Sequence, residues 1–146
     1  MSAEQNAVSM GITFPEQPKG YLNLCIRSGN LLITSGHVSD LKGKLGAGVS
    51  VQQGYDAAKD CMIKILRSVH AAHGTLDGLR VLKLLGCVNS TGEFIEQHLV
   101  INGASDLIHQ LFGKDDDGYH ARSALGFASI PTGSAVEIEA IFEIKQ

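Results

Sequence analysis

The sequence runs to 146 residues, 44% hydrophobic and 18% charged, with a net charge of −3; these are the proportions of a globular domain and exclude a disordered chain. The mildly acidic balance argues against a nucleic-acid binder, whose footprint is basic and clustered. No run of about 18 apolar residues is present to read as a membrane span, and Met1-Ser2-Ala3-Glu4-Gln5-Asn6 has neither the basic nor the apolar region of a secretion signal.

A single domain over residues 1–146 is predicted, with 1–19, which contain Pro15 and Pro18, as an irregular lead-in. Leu22, Leu24 and Ile26 alternate with Tyr21, Asn23, Cys25 and Arg27, the period of a half-buried strand. Ser28-Gly29-Asn30 reads as a turn and Leu31 to Ser35 as the returning strand of a hairpin. After glycines at 43, 46 and 48, Ser50 and Gln53 form a capping box. Val51, Tyr55, Ala58, Met62, Ile65, Leu66 and Val69 then recur at helical spacing until Gly74. The apolar stripe and the polar face opposite it (Gln52, Asp56, Lys59, Asp60) predict a helix lying on a sheet.

A third strand is expected at Val81 to Val88. A second helix is expected to start at a Ser105 cap and stop at Gly113, with 94–103 left unassigned. Two last strands, Ala121 to Ala128 and Ala135 to Ile144, flank a turn holding Pro131 and Gly133. The order β-β-α-β-α-β-β predicts an α+β fold, a mostly antiparallel sheet with both helices on one face. Cys25, Cys61 and Cys87 are odd in number and widely spaced, which fits packed, reduced thiols of a cytoplasmic protein and gives no zinc signature. Neither the five remaining histidines (His37, His70, His73, His98, His109) nor Asp115-Asp116-Asp117-Gly118 has metal-ligand spacing, so no metal is expected.

The last two strands carry the functional signal. Val136, Ile138, Ala140, Phe142 and Ile144 make one apolar row, with Glu137, Glu139 and Glu143 opposite. In the strand before, Ser123, Leu125 and Phe127 alternate with Arg122, Ala124, Gly126 and Ala128. If the bulky rows face the helices, the other face carries Arg122 and the carboxylates among small side chains. Such a stripe suits close approach by a ligand or another subunit, and two helices leave that face open for self-association, most simply as a closed ring.

Leu31-Leu32-Ile33-Thr34-Ser35-Gly36-His37, Ala121-Arg122-Ser123 and Val136-Glu137-Ile138-Glu139-Ala140-Ile141 resemble, in order, three stretches diagnostic of the RidA/YjgF family, also labelled endoribonuclease L-PSP. The resemblance extends from about Tyr21 to the C-terminus. It implies a chorismate-mutase-like fold, a homotrimer with sheets turned inward, and intersubunit clefts that hydrolyse 2-imino or 2-enamino acids to 2-keto acids and ammonia without a cofactor. On the matching positions it assigns carboxylate binding to Arg122 and handling of the attacking water to Glu137. Tyr21, Ser35 and Gly36 fall near the pocket lining. His120 stands where the better-studied branch has proline, and Ala124 where it often has cysteine, which marks a divergent branch.

The chemistry of these side chains is compatible with those roles. A guanidinium meets a carboxylate as a rigid fork and stays charged at any working pH, and a carboxylate can hold a water and take its proton. Glu139 points the same way as Glu137, and His120 shares Arg122's parity and could shuttle a proton. Arg122 could equally form an intersubunit ion pair with Glu137 or Glu139. The functional readings are therefore an imine or enamine deaminase, a non-catalytic trimer that binds small carboxylates, and, least favoured for an acidic chain, a ribonuclease.

Overall fold

The computed structural model describes all residues 1–146. In chain order the elements are α1 (Ala3–Ser9), β1 (Cys25–Ser28), β2 (Leu31–Thr34), β3 (His37–Val38), β4 (Lys44–Leu45), β5 (Gly48–Val49), α2 (Val51–His73), β6 (Leu79–Asn89), α3 (Gln97–Phe112), β7 (Ala121–Phe127) and β8 (Val136–Ile144). The main sheet runs β1-β2-β8-β6-β7, with β3 also on β8. Every pairing in it is antiparallel except β6 with β7. This is the expected α+β layer.

Both long helices cover one sheet face. Ser50 and Gln53 cap α2 reciprocally, and Gly74 ends it in the left-handed conformation at φ 91°. Met62, Ile65, Leu66 and Val69 of α2 meet Val136, Ile138 and Phe142 of β8, all fully buried, as the sequence period required. The hairpin turns at Gly29-Asn30, as its two-residue turn chemistry favours. No helix is long and apolar enough to cross a membrane.

Four expectations need correction. The lead-in is not wholly irregular: Ser2 and Gln5 make a capping box on α1. Asn6 of α1 donates to the Leu111 carbonyl at 3.0 Å, so this short helix is held by tertiary contacts rather than by its own seven residues. The first strand begins only at Cys25, because Tyr21 and Leu22 project into solvent. The second long helix starts at Gln97, eight residues before the expected cap. Glu96 makes no side-chain cap bond there, so the start carries no local signal, and Ser105 is buried in the helix interior. Finally, the rows of β7 are inverted, and that alters the site.

Candidate functional site

Strand register fixes which side chains share a face, because directly paired residues point the same way and neighbours alternate. Arg122 pairs with Leu84, which pairs with Ala140; Leu84 and Ala140 are core residues. Arg122, Ala124 and Gly126 therefore face α3. Glu137 pairs with Cys87 and Glu139 with Leu85, on the opposite, uncovered face. Within one chain, the predicted carboxylate anchor and the predicted water-handling acid are on different faces of the sheet, contrary to the shared face expected from the sequence.

Why the small row turns inward is visible in the approach of α3. A Cβ at Gly86 would lie 2.6 Å from the Ile101 side chain, and one at Gly126 would lie 2.7 Å from both Gln97 Nε2 and Ser90 Oγ. At these two positions the packing over β6 and β7 is so close that neither tolerates a side chain. Leu125 and Phe127 are consequently displaced to the uncovered face at 49% and 40% exposure. Ile26, also exposed, points to the same face through its register with Ile33 and Ile141, so apolar side chains flank the two carboxylates on β1 and β7.

Arg122 stands on β7, at the sheet edge. Its Nη1 donates to Asn102 Oδ1 at 2.8 Å and to Ser105 Oγ at 3.2 Å, both on α3. Its Nε and Nη2 make no hydrogen bond within the chain, and no carboxylate lies within 4.0 Å of it. Asp106, the acidic group that acts on it from nearby, is engaged instead by the Tyr55 hydroxyl, which donates at 2.6 Å. Burial lowers the Arg122 pKa, but a guanidinium retains its proton. The result is a half-buried cation fixed by two neutral acceptors, with one edge of its fork uncommitted.

His120 does share Arg122's surroundings. Its Nδ1 lies 2.6 Å from the Gly118 carbonyl and its Nε2 lies 2.9 Å from Ser105 Oγ. Burial is the main influence holding it below the ordinary imidazole value; the Gly118 bond opposes this, and His109 and Arg122 add to it.

On the uncovered face, a Cβ at Gly36 would collide with the Glu137 carboxylate, so this glycine gives the acid its room. Neither Glu137 nor Glu139 forms an ion pair within the chain. Cys87 lies between Glu137 and Leu125 in register, its thiol pushed up to about 11 by burial and then by the Glu137 and Glu139 carboxylates. Ser35 Oγ donates to the Asn23 carbonyl at 2.8 Å, which pins the segment before β1 to the end of β2. Tyr21 is fully exposed and lines a cavity of about 680 Å³ formed by residues 17–25, Ser68, Ala71 and Ala72; neither Arg122 nor Glu137 reaches it.

Two polar groupings lay outside the sequence reading. Asn102 and Ser105, one turn apart on α3, became visible as a pair only once the helix was known to begin at Gln97. The other is a buried pair: His37 Nδ1 contacts the Ser35 carbonyl and its Nε2 contacts Ser68 Oγ, each at 2.7 Å. Ser68 lies within α2, where backbone N–H groups are committed to the helix. The arrangement offers no oxyanion donors and ties β3 to α2.

The model of the endoribonuclease L-PSP family matches residues 13–144. Protein TCP17 of Trypanosoma cruzi is 46% identical over 105 residues, which cover 71% of this chain and 65% of that protein's length. A crystal structure of Atu1372 from Agrobacterium tumefaciens, a protein described as having unknown function, superposes with a TM-score of 0.87 at 42% identity, covering 99% of this chain and 92% of that one. RidA from the Antarctic bacterium Psychrobacter sp. PAMC 21119 superposes with a TM-score of 0.60 at 20% identity over 90% of this chain and 94% of its own, a likeness of fold.

Proposed function

Because the chain belongs to the endoribonuclease L-PSP family, the family of RidA and YjgF, we propose that it binds a small 2-imino or 2-enamino acid by its carboxylate and hydrolyses it to a 2-keto acid and ammonia. The observation that carries this reading is the state of Arg122: a fixed cation without a counter-ion, presenting Nε and Nη2 at a sheet edge. That edge of the fork matches the two oxygens of a carboxylate.

Hydrolysis of the C=N bond needs a water at the imino carbon and a group to take its proton. Glu137 is suited to that role, on a face with room made by Gly36. Water adds to the carbon as its proton passes by way of the carboxylate to the imino nitrogen; the hydroxyl proton of the resulting carbinolamine follows the same route, the C=O forms, ammonia leaves, and the carboxylate is regenerated. Since Arg122 and Glu137 occupy opposite faces of one sheet, a site using both is composite, with Arg122 on the β7 edge of one copy and Glu137 on the uncovered face of another. The exposed apolar side chains around Glu137 supply the surface such an association would cover. A closed homotrimer provides three equivalent sites of this kind, with Tyr21 and Ser35 near the seam.

Ammonia release from freshly generated 2-iminopropionate tests the reading: the purified protein is expected to accelerate it, and Arg122→Ala to abolish the acceleration. Release no faster than buffer across several side-chain sizes would overturn it. The separation of Arg122 from Glu137 favours a second reading, a trimer that binds small carboxylates through Arg122 without turnover. Saturable, Arg122-dependent binding of 2-oxobutyrate without hydrolysis would single it out. RNA cleavage, which the family's label names, has little support in a chain of net charge −3.

A further inference from the structure

We infer that Asn102, Ser105 and His120 are positioning residues that lock one nitrogen of Arg122 and leave its remaining edge to the ligand, with His120 serving as a fixed acceptor and not as a proton carrier. This rests on the reading of Arg122 as carboxylate anchor and adds what sets its aim and keeps its charge free.

The direction of every proton in the chain follows from its far end. A carbonyl oxygen can only accept, so the His120 nitrogen 2.6 Å from the Gly118 carbonyl, Nδ1, carries a proton. In the neutral ring Nε2 is then an acceptor, and at 2.9 Å it takes the Ser105 hydroxyl proton. That turns the hydroxyl lone pairs toward Arg122 Nη1, 3.2 Å away. Asn102 Oδ1 accepts from the same Nη1 at 2.8 Å. Both imidazole nitrogens are thus occupied. A proton added to Nε2 would point at Ser105 Oγ, displace its hydroxyl hydrogen, and place a second cation beside Arg122 and near His109, whose ring centroid is 5.3 Å away. His109 and Arg122 both oppose that charge, and Asp106, bonded to Tyr55, is already engaged.

The chemical type of the two contacts to Arg122 matters as much as their geometry. An amide oxygen and a hydroxyl orient a guanidinium without neutralising it, whereas a carboxylate in the same place would take the ligand's role. Asn102 differs from aspartate by one group of nearly equal size. Substituting it changes the charge at 2.8 Å from Nη1 while leaving the shape alone.

The test uses the full-length protein and 2-oxobutyrate as the probe, with affinity read by calorimetry and folding by thermal unfolding. Asn102→Ala, which loosens Arg122, is expected to weaken binding about threefold to tenfold. Asn102→Asp is expected to weaken it at least tenfold further, because the new carboxylate occupies the cation. His120→Ala, which leaves the Ser105 hydroxyl without its acceptor, is expected to weaken binding about threefold, and His120→Gln, whose amide oxygen can still accept from Ser105, to restore it; neither is expected to remove a limb of the pH–rate profile. Equal affinities for the Asn102→Ala and Asn102→Asp proteins would overturn the charge argument. Loss of kcat in His120→Gln together with a missing limb of the pH profile would overturn the assignment of His120. Arg122→Ala separates these failures from failure of the underlying reading: if it still binds 2-oxobutyrate like wild type, the anchor itself is wrong.

Discussion

On the proposed trimer, Leu125→Glu should leave a folded monomer. The uncovered face carries Ile26, Leu125 and Phe127 at 51%, 49% and 40% exposure. Full burial of such a side chain contributes about 1.5–3 kcal/mol, so covering the exposed half of all three contributes about 2–4 kcal/mol per subunit before the cost of association. Leu125 supplies only about 1 kcal/mol of that, and Leu125→Ala alone should weaken the assembly modestly. A glutamate does more. Leu125, Cys87 and Glu137 lie in one line across three strands, so the new carboxylate would be desolvated beside an existing one, at a cost of several kcal/mol per buried ion repeated at every copy of the interface. The monomer should tolerate the change, because residue 125 is half-exposed there and surface substitutions stay within about 0.5 kcal/mol. Sedimentation velocity at micromolar concentration should give wild type at three times the 15.5 kDa chain mass and Leu125→Glu at the mass of one chain, with circular dichroism unchanged and deaminase activity lost. Wild type sedimenting as a single chain, or a variant keeping the wild-type mass, would refute the reasoning.

Gly36→Ala places a methyl group against the Glu137 carboxylate; displacing that acid by about 1 Å should lower kcat about 10–100-fold, while circular dichroism stays native. Gly86→Val must push Ile101 of α3, starting 2.6 Å away; overpacking of this kind costs about 1–3 kcal/mol, read as a fall in Tm of about 3–9 °C. Burial holds His37 and His120 below the ordinary imidazole value. The unfolded chain therefore binds more protons than the native one at mildly acid pH, so stability is full above about pH 6.5 and declines as pH falls toward the depressed native values. The urea midpoint should be lower at pH 5.5 than at pH 7.5, with a smaller difference in His37→Gln; a wild-type midpoint independent of pH across this range would contradict the assignment.

The elements that the sequence made legible are those whose signals are local. Ser50, Gln53 and Gly74 announce both ends of α2 by hydrogen-bond chemistry confined to a few residues. The apolar row of β8 has a single reading, since nothing but the helices can bury Val136, Ile138 and Phe142 together. The α3 start was hidden for the converse reason. Glu96 caps nothing, and the helix is held there by packing across Gly86 and Gly126, contacts made with residues distant in sequence.

The inverted face of β7 follows from the same distinction. Alternation identifies two rows but not which one is inward, and the rule that bulk turns toward helices assumes that space exists beneath them. Under α3 it does not, so Ala124 and Gly126 turn in and Leu125 and Phe127 turn out. The small residues and the exposed leucine and phenylalanine are then one feature rather than two: close seating of α3 brings Asn102 and Ser105 within reach of Arg122, and the bulk it displaces builds the apolar face around Glu137. A substitution that lifts α3 from the sheet should therefore disturb ligand binding through Arg122 and the association surface together, although the two lie on opposite sides of the strand.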